Sequence, residues 1–212
     1  RMLKEIREIS KLNISIQSIR QGEAKGLGHA ILCAKRLIGK EPFGVILPDM
    51  LISKENGNAG DSFKEMRLNF EKNEISSILL GKAKKEDIPK YGIAQIKKNS
   101  KLPGLGLVEK IIEKPSIKKS PSNLYAAGRY IFKNDFLKYL SKVKPDKSDE
   151  IQLTDAIEHY IKDGKKVNAF PLEGNIFDCG DNAEYILANL EFAMKDPVMK
   201  TKINSYIKTK KF

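Results

Sequence analysis

The stretch Phe43-Gly44-Val45-Ile46-Leu47-Pro48-Asp49 decides the fold class. Its run from Phe43 to Leu47 is apolar without a break and stops at Pro48-Asp49. A strand buried on both faces of a parallel sheet has that pattern. Before it, Leu27, Ala30, Ile31, Ala34 and Ile38 fall on one side of a helix predicted over 26–38. Ile14, Ile16 and Ile19 predict a short strand, and Leu3, Ile6, Ile9 and Leu12 an amphipathic helix over 2–12. After it come a helix over 61–72 and a strand over 75–81, so helix and strand alternate as in a doubly wound α/β sheet.

The pattern then changes. Strands are predicted at 91–97, 107–114 and 123–132, separated by Lys-, Pro- and Ser-rich loops, then helices at 133–142, 150–163 and 181–195 with a strand at 166–171. The expectation is a mixed sheet with an added α+β region in one domain, 1–196. Residues 197–212 are read as a polar tail or peripheral helix. A doubly wound domain normally opens on a central strand and its phosphate-binding βα turn. This chain is read as opening on a helix, so its first βα units are expected to be missing.

The 212 residues carry a net charge of +12. Nucleic acid is not the expected partner: the basic residues are 33 lysines and six arginines, whereas bidentate reading of phosphate and guanine favours Arg. The field suits a polyanionic small substrate. No apolar run reaches the roughly 18 residues of a membrane span, and Cys33 and Cys179 form neither a disulfide framework nor a zinc motif. A cytoplasmic protein without membrane partners is expected.

Four segments could carry chemistry. Gln21-Gly22 and Lys25 to Ala30 lie between a strand and a helix start, where glycines admit a ligand and helix amides can meet it. The Gln21 amide could pair with a planar base edge; read alone, the segment is a helix-entry turn. Asp49 lies at the carboxyl end of its strand, where open α/β sheets bind ligands, and suits Mg²⁺; capping of the next segment explains it equally well. Glu113-Lys114-Pro115 offers a carboxylate for sugar hydroxyls and an ammonium for phosphate, or a surface ion pair. Neighbours on a strand point to opposite faces, so both serve one site only if the strand ends there. Asp178 precedes Asp181, which reads as a helix N-cap, and is a candidate second metal ligand. His29 and His159 read as isolated, and no nucleophile motif is present.

Taken together these segments resemble the bacterial UTP–glucose-1-phosphate uridylyltransferases. The matches include Lys25 to Ala30, Leu47-Pro48-Asp49, Tyr91-Gly92, Glu113-Lys114-Pro115, Gly128-Arg129-Tyr130, Asp149 to Ala156 and Asp178 to Asp181. The resemblance implies a nucleotidyltransferase fold, Rossmann-like and glycosyltransferase-A-like. It also implies formation of UDP-glucose and pyrophosphate from UTP and glucose 1-phosphate. By that likeness Gln21 and the Gly26 backbone read uracil, and Asp49 and Asp178 hold Mg²⁺. Gly92 and Glu113 hold glucose, and Lys114 its phosphate. The family forms dimers or tetramers, so self-association is expected too. Family members begin with a G-x-G-T-R loop gripping the triphosphate. Neither Gly26-Leu27-Gly28 nor Gly104-Leu105-Gly106 continues as Thr-Arg, so this chain alone is expected to be inactive. The alternatives are a thymidylyl or other sugar-nucleotide pyrophosphorylase, and a non-catalytic fragment that binds sugar nucleotides.

Overall fold

Leu124–Phe132 hydrogen-bonds to three other strands and organises the sheet. A computed structural model of the chain describes residue 11 and residues 14–99 and 101–210. Apart from Lys11, which sits in a turn, the helix expected over 2–12 lies outside the described residues. The strands are β1 (Phe43–Ile46), β2 (Met50–Ser53), β3 (Ser76–Lys82), β4 (Ile93–Lys97), β5 (Gly106–Ile112), β6 (Leu124–Phe132), β7 (Val167–Pro171) and β8 (Asn175–Asp178). The helices are α1 (Gly26–Cys33), α2 (Lys35–Ile38), α3 (Asp61–Asn73), α4 (Phe136–Leu140), α5 (Leu153–Lys162), α6 (Asn182–Lys195) and α7 (Pro197–Thr209).

Six strands form one sheet in the order β1-β6-β3-β7-β5-β4, and β4 also bonds to β6, so five of them close into a ring. β3 and β7 run parallel; the other ladders are antiparallel. β3 is buried from Ser76 to Gly81 because both of its faces are covered. Ile78 and Leu80 pack with Leu140, Leu153 and Ile157 of α4 and α5. Leu79, on the other face, packs with Met66 of α3 and with Ile93 and Phe170. Only Ile78 to Leu80 is apolar without a break, and Ser76 and Ser77 are buried with them.

Three expectations are corrected. β1 is no buried parallel strand. It pairs antiparallel with β6 at the sheet edge, Phe43 opposite Phe132. Phe43 and Val45 are half-buried, while Gly44 and Ile46 are exposed. A short apolar run reads the same whether one face is covered or both. Residues 14–20 form no strand, and Ile14 and Ile16 are 66% and 86% exposed, because period-two spacing supplies no pairing partner. The single helix expected over 26–38 breaks at Ala34 into α1 and α2.

β2 and β8 form a separate antiparallel pair, with Met50 opposite Asp178. α6 is capped as expected: the Asp181 carboxylate accepts from the amides of Ala183 and Glu184. α7 follows, capped by Asp196, and buries no residue.

Candidate active site

Asp49 lies in the short link between β1 and β2, and both flanks of that link are bound. Leu47 donates its amide to the Gly128 carbonyl at 2.9 Å. Arg129 donates from Nη1 to the Leu47 carbonyl at 3.0 Å and from Nη2 to the Met50 carbonyl at 2.7 Å. Gly128 is needed for this approach: its φ is +68°, and a Cβ there would meet Leu47 and Met50 side-chain atoms at 3.1 Å. Asp178 ends β8 next door. Cys179 donates its amide to the Asp49 carbonyl at 2.8 Å, and Gly180 donates to Asp178 Oδ1 at 3.1 Å. Two acids far apart in the chain thus stand side by side, one just before β2 and the other at the end of β8.

β5 ends at Ile112, just before Glu113 and Lys114. Lys114 has a φ of +41°, and its amide donates to the Tyr91 carbonyl at 3.0 Å. This left-handed turn releases the pair from strand alternation, so both line the same cavity. Thr154 Oγ1 donates to Glu113 Oε2 at 2.9 Å. Burial raises the Glu113 carboxyl above its ordinary range, against the lowering effects of the Thr154 hydrogen bond and of Lys114. Gly92 leaves the space they need: a Cβ on it would come within 2.6 Å of Thr154 Cγ2 and 3.0 Å of Glu113 Oε2.

The result is a cavity of about 330 Å³ whose wall includes Asp49, Gly92, Glu113, Lys114 and Asp178. Tyr91, Gln152 and Thr154 join them there. A larger concavity of about 930 Å³ opens beside Leu80, Tyr125 and Ile176. It holds none of the expected site residues, so chemistry rather than volume locates the candidate site.

Gln21 and Gly26 do not line the cavity; Leu27, next in the chain, does. Gln21 Nε2 donates to the Gly26 carbonyl at 3.2 Å and lies 2.9 Å from Nδ1 of His29. With both amide hydrogens directed inward, Oε1 is the atom left to accept from a ligand N–H. His29, read as isolated, therefore orients Gln21; its Nε2 lies 3.8 Å from Cys33 Sγ. Gly28 serves packing, since a Cβ there would meet the Ile151 carbonyl oxygen at 2.5 Å.

Sequence reasoning assigned no role to Arg129, Thr154, Gln152 or Tyr91. The available signal was that Arg129 lies inside Gly128-Arg129-Tyr130 and that Gln152 and Thr154 lie inside Asp149 to Ala156. Asp146 builds the approach to the latter stretch. Its carboxylate accepts from the amides of Ser148 and Glu150 and from the Gln152 side chain.

A nucleotidyl transferase family model matches residues 1–195. The chain is 38% identical over 196 residues to the UTP–glucose-1-phosphate uridylyltransferase of Haemophilus ducreyi, covering 92% of this chain and 66% of that protein. With the enzyme of the same name from Escherichia coli K12 it shares 35% identity over 208 residues, 97% of this chain and 68% of that protein. The chain belongs to the nucleotidyl transferase family, among the UTP–glucose-1-phosphate uridylyltransferases. A solved UDP-glucose pyrophosphorylase complexed with UDP-glucose matches this chain with a TM-score of 0.83 at 36% identity, over 92% of this chain and 72% of its own. A UTP-bound UGPase from Acinetobacter baumannii matches with a TM-score of 0.84 at 30% identity, over 99% and 71%. The chain spans about two thirds of the length of these curated relatives.

Nucleotidyl transferases generally work with a divalent metal. The donors here suit one of the magnesium type, which takes one or two carboxylates and completes its shell with water and substrate phosphate. Among the described residues no group of three or more His, Cys, Asp or Glu forms an all-protein cage. Among them, too, neither Asp49 nor Asp178 is neutralised by an ion pair. Among the described residues no helix is long and apolar enough to cross a membrane.

Proposed function

We propose that this chain carries the uridylyl-transfer site of a cytoplasmic enzyme that makes UDP-glucose and pyrophosphate from UTP and glucose 1-phosphate. The observation that carries the reading is the convergence of Asp49, Gly92, Glu113, Lys114 and Asp178 on one cavity. Residues 1–196 form the working domain and 197–212 a peripheral segment.

Asp49 and Asp178 hold Mg²⁺, which supplies neutralisation of phosphate charge when bound. Gln21 Oε1 accepts the N3–H of uracil, and the Gly26 backbone lies beside the base. Glu113 accepts hydrogen bonds from glucose hydroxyls, and Gly92 leaves room for the ring. Lys114 places its ammonium on the sugar phosphate as a point charge. An oxygen of that phosphate attacks the α-phosphorus of UTP in line; the bond to pyrophosphate breaks as the new one forms. No protein nucleophile is required, in keeping with its absence from the sequence motifs. The contribution of the chain is alignment of two polyanions and offset of their charge.

Competition calorimetry tests the nucleoside. UDP-glucose is expected to bind more tightly than dTDP-glucose. Tighter binding of the thymidine compound would overturn the uridine assignment.

A further inference from the structure

Arg129 lies in β6 with its guanidinium across the link that carries Asp49. Nη1 reaches the carbonyls of Leu47 (3.0 Å) and Gly128 (3.1 Å), and Nη2 that of Met50 (2.7 Å). The Leu47 and Met50 carbonyls bracket Asp49 on either side. On the far side of the link, the Asp49 carbonyl is taken by the Cys179 amide, next to Asp178. Among the described residues no carboxylate pairs with Arg129 within 4 Å. This half-buried cation is therefore devoted to main-chain oxygens. Burial lowers its pKa, and the nearby Asp49 charge opposes that effect. Carbonyls pointing in different directions can be held together by a planar fork with several N–H groups. An ammonium, a compact point charge, cannot span them with the same geometry.

We propose that Arg129 is a positioning residue for the divalent-cation site, clamping the Leu47–Met50 link so that the Asp49 carboxylate stands beside that of Asp178. The proposal rests on the reading that these two acids hold the cation. It assigns Arg129 no contact with substrate or metal. Its action runs through the main chain, from guanidinium to carbonyls to the direction of one carboxylate.

The test uses the 212-residue chain, Mn²⁺ as the probe cation and saturating UDP-glucose, with bound Mn²⁺ followed by water-proton relaxation. Arg129→Lys keeps the charge and loses the fork. It is expected to raise the half-saturating Mn²⁺ concentration about tenfold or more, the usual scale for groups that orient a metal ligand. UDP-glucose affinity measured in EDTA should stay within about twofold of the parent. Mn²⁺ binding by Arg129→Lys within about twofold of the parent overturns the proposal and leaves the cation reading intact. An equal loss of metal-free UDP-glucose affinity also overturns it, because Arg129 would then support the fold in general. Absence of nucleotide-dependent Mn²⁺ binding by the parent chain defeats the cation reading, and this inference falls with it. Should circular dichroism show Arg129→Lys unfolded, Arg129→Gln carries the same comparison, since its amide cannot bracket Asp49 from both sides.

Discussion

Thr154 Oγ1 hydrogen-bonds Glu113 Oε2 at 2.9 Å, fastening the first turn of α5 to the end of β5. Both residues line the candidate site. The hydroxyl holds one carboxylate oxygen and fixes the carboxylate against α5. Thr154→Val keeps the shape and deletes the donor. UDP-glucose affinity is expected to fall about tenfold, the scale of one hydrogen bond to a charged group. Isothermal titration measures it; unchanged affinity would remove Thr154 from the site.

Burial raises the Glu113 carboxyl above its ordinary value of 4.5. The folded chain therefore binds this proton more tightly than the unfolded chain. The stabilisation is fully present below the unfolded pKa and is lost as pH rises through the folded one. Glu113→Gln cannot ionise but still accepts from Thr154. The stability of the variant relative to the parent should accordingly rise between pH 4 and pH 7, while UDP-glucose binding at pH 7 weakens ten- to a hundredfold by about the worth of a charged hydrogen bond. Denaturation and titration at the two pH values check both halves.

Gly92 lies hard against two other residues of the cavity wall. A methyl group there would sit 2.6 Å from Thr154 Cγ2 and 3.0 Å from Glu113 Oε2. Gly92→Ala should cost about 1–3 kcal/mol of stability, as overpacking does. It should weaken UDP-glucose binding more than UTP binding, since UTP lacks the glucose. Equal effects on the two ligands would place Gly92 outside the sugar subsite.

Asp181 begins α6 just beyond Asp178. Its carboxylate accepts the amides of Ala183 and Glu184, and those bonds hold its pKa below the ordinary aspartate value. Asp181→Ala is expected to lower the thermal midpoint by about 2–4 °C at pH 7. The difference should shrink as pH falls through the folded pKa, because the capping carboxylate is lost on protonation. A midpoint unchanged at pH 7 would show that the cap is not stabilising.

Much of this geometry is readable from local pattern. β3 is readable as a strand over 75–81, and Pro115 marks the end of β5 that frees Glu113 and Lys114 to share a wall. Asp181 is legible as a cap because its partners lie two and three residues away. The β2–β8 pair is not. Each is a four-residue strand, and their pairing joins segments more than a hundred residues apart. Arg129 is equally silent, since its partners are main-chain carbonyls, which every residue carries. His29 looks isolated for a related reason: its bond to Gln21 depends on how the chain enters α1, and the strand expected over 14–19 does not form.

The central claim is that Asp49 and Asp178 share one divalent cation beside the nucleotide. The direct measurement is calorimetric binding of UDP-glucose to the chain, with Mg²⁺ and with EDTA, for the parent, Asp49→Asn and Asp178→Asn. The account predicts that Mg²⁺ tightens binding by the parent at least about tenfold, and that either substitution abolishes the gain while leaving the EDTA affinity nearly unchanged. Full Mg²⁺ enhancement in either variant would contradict it.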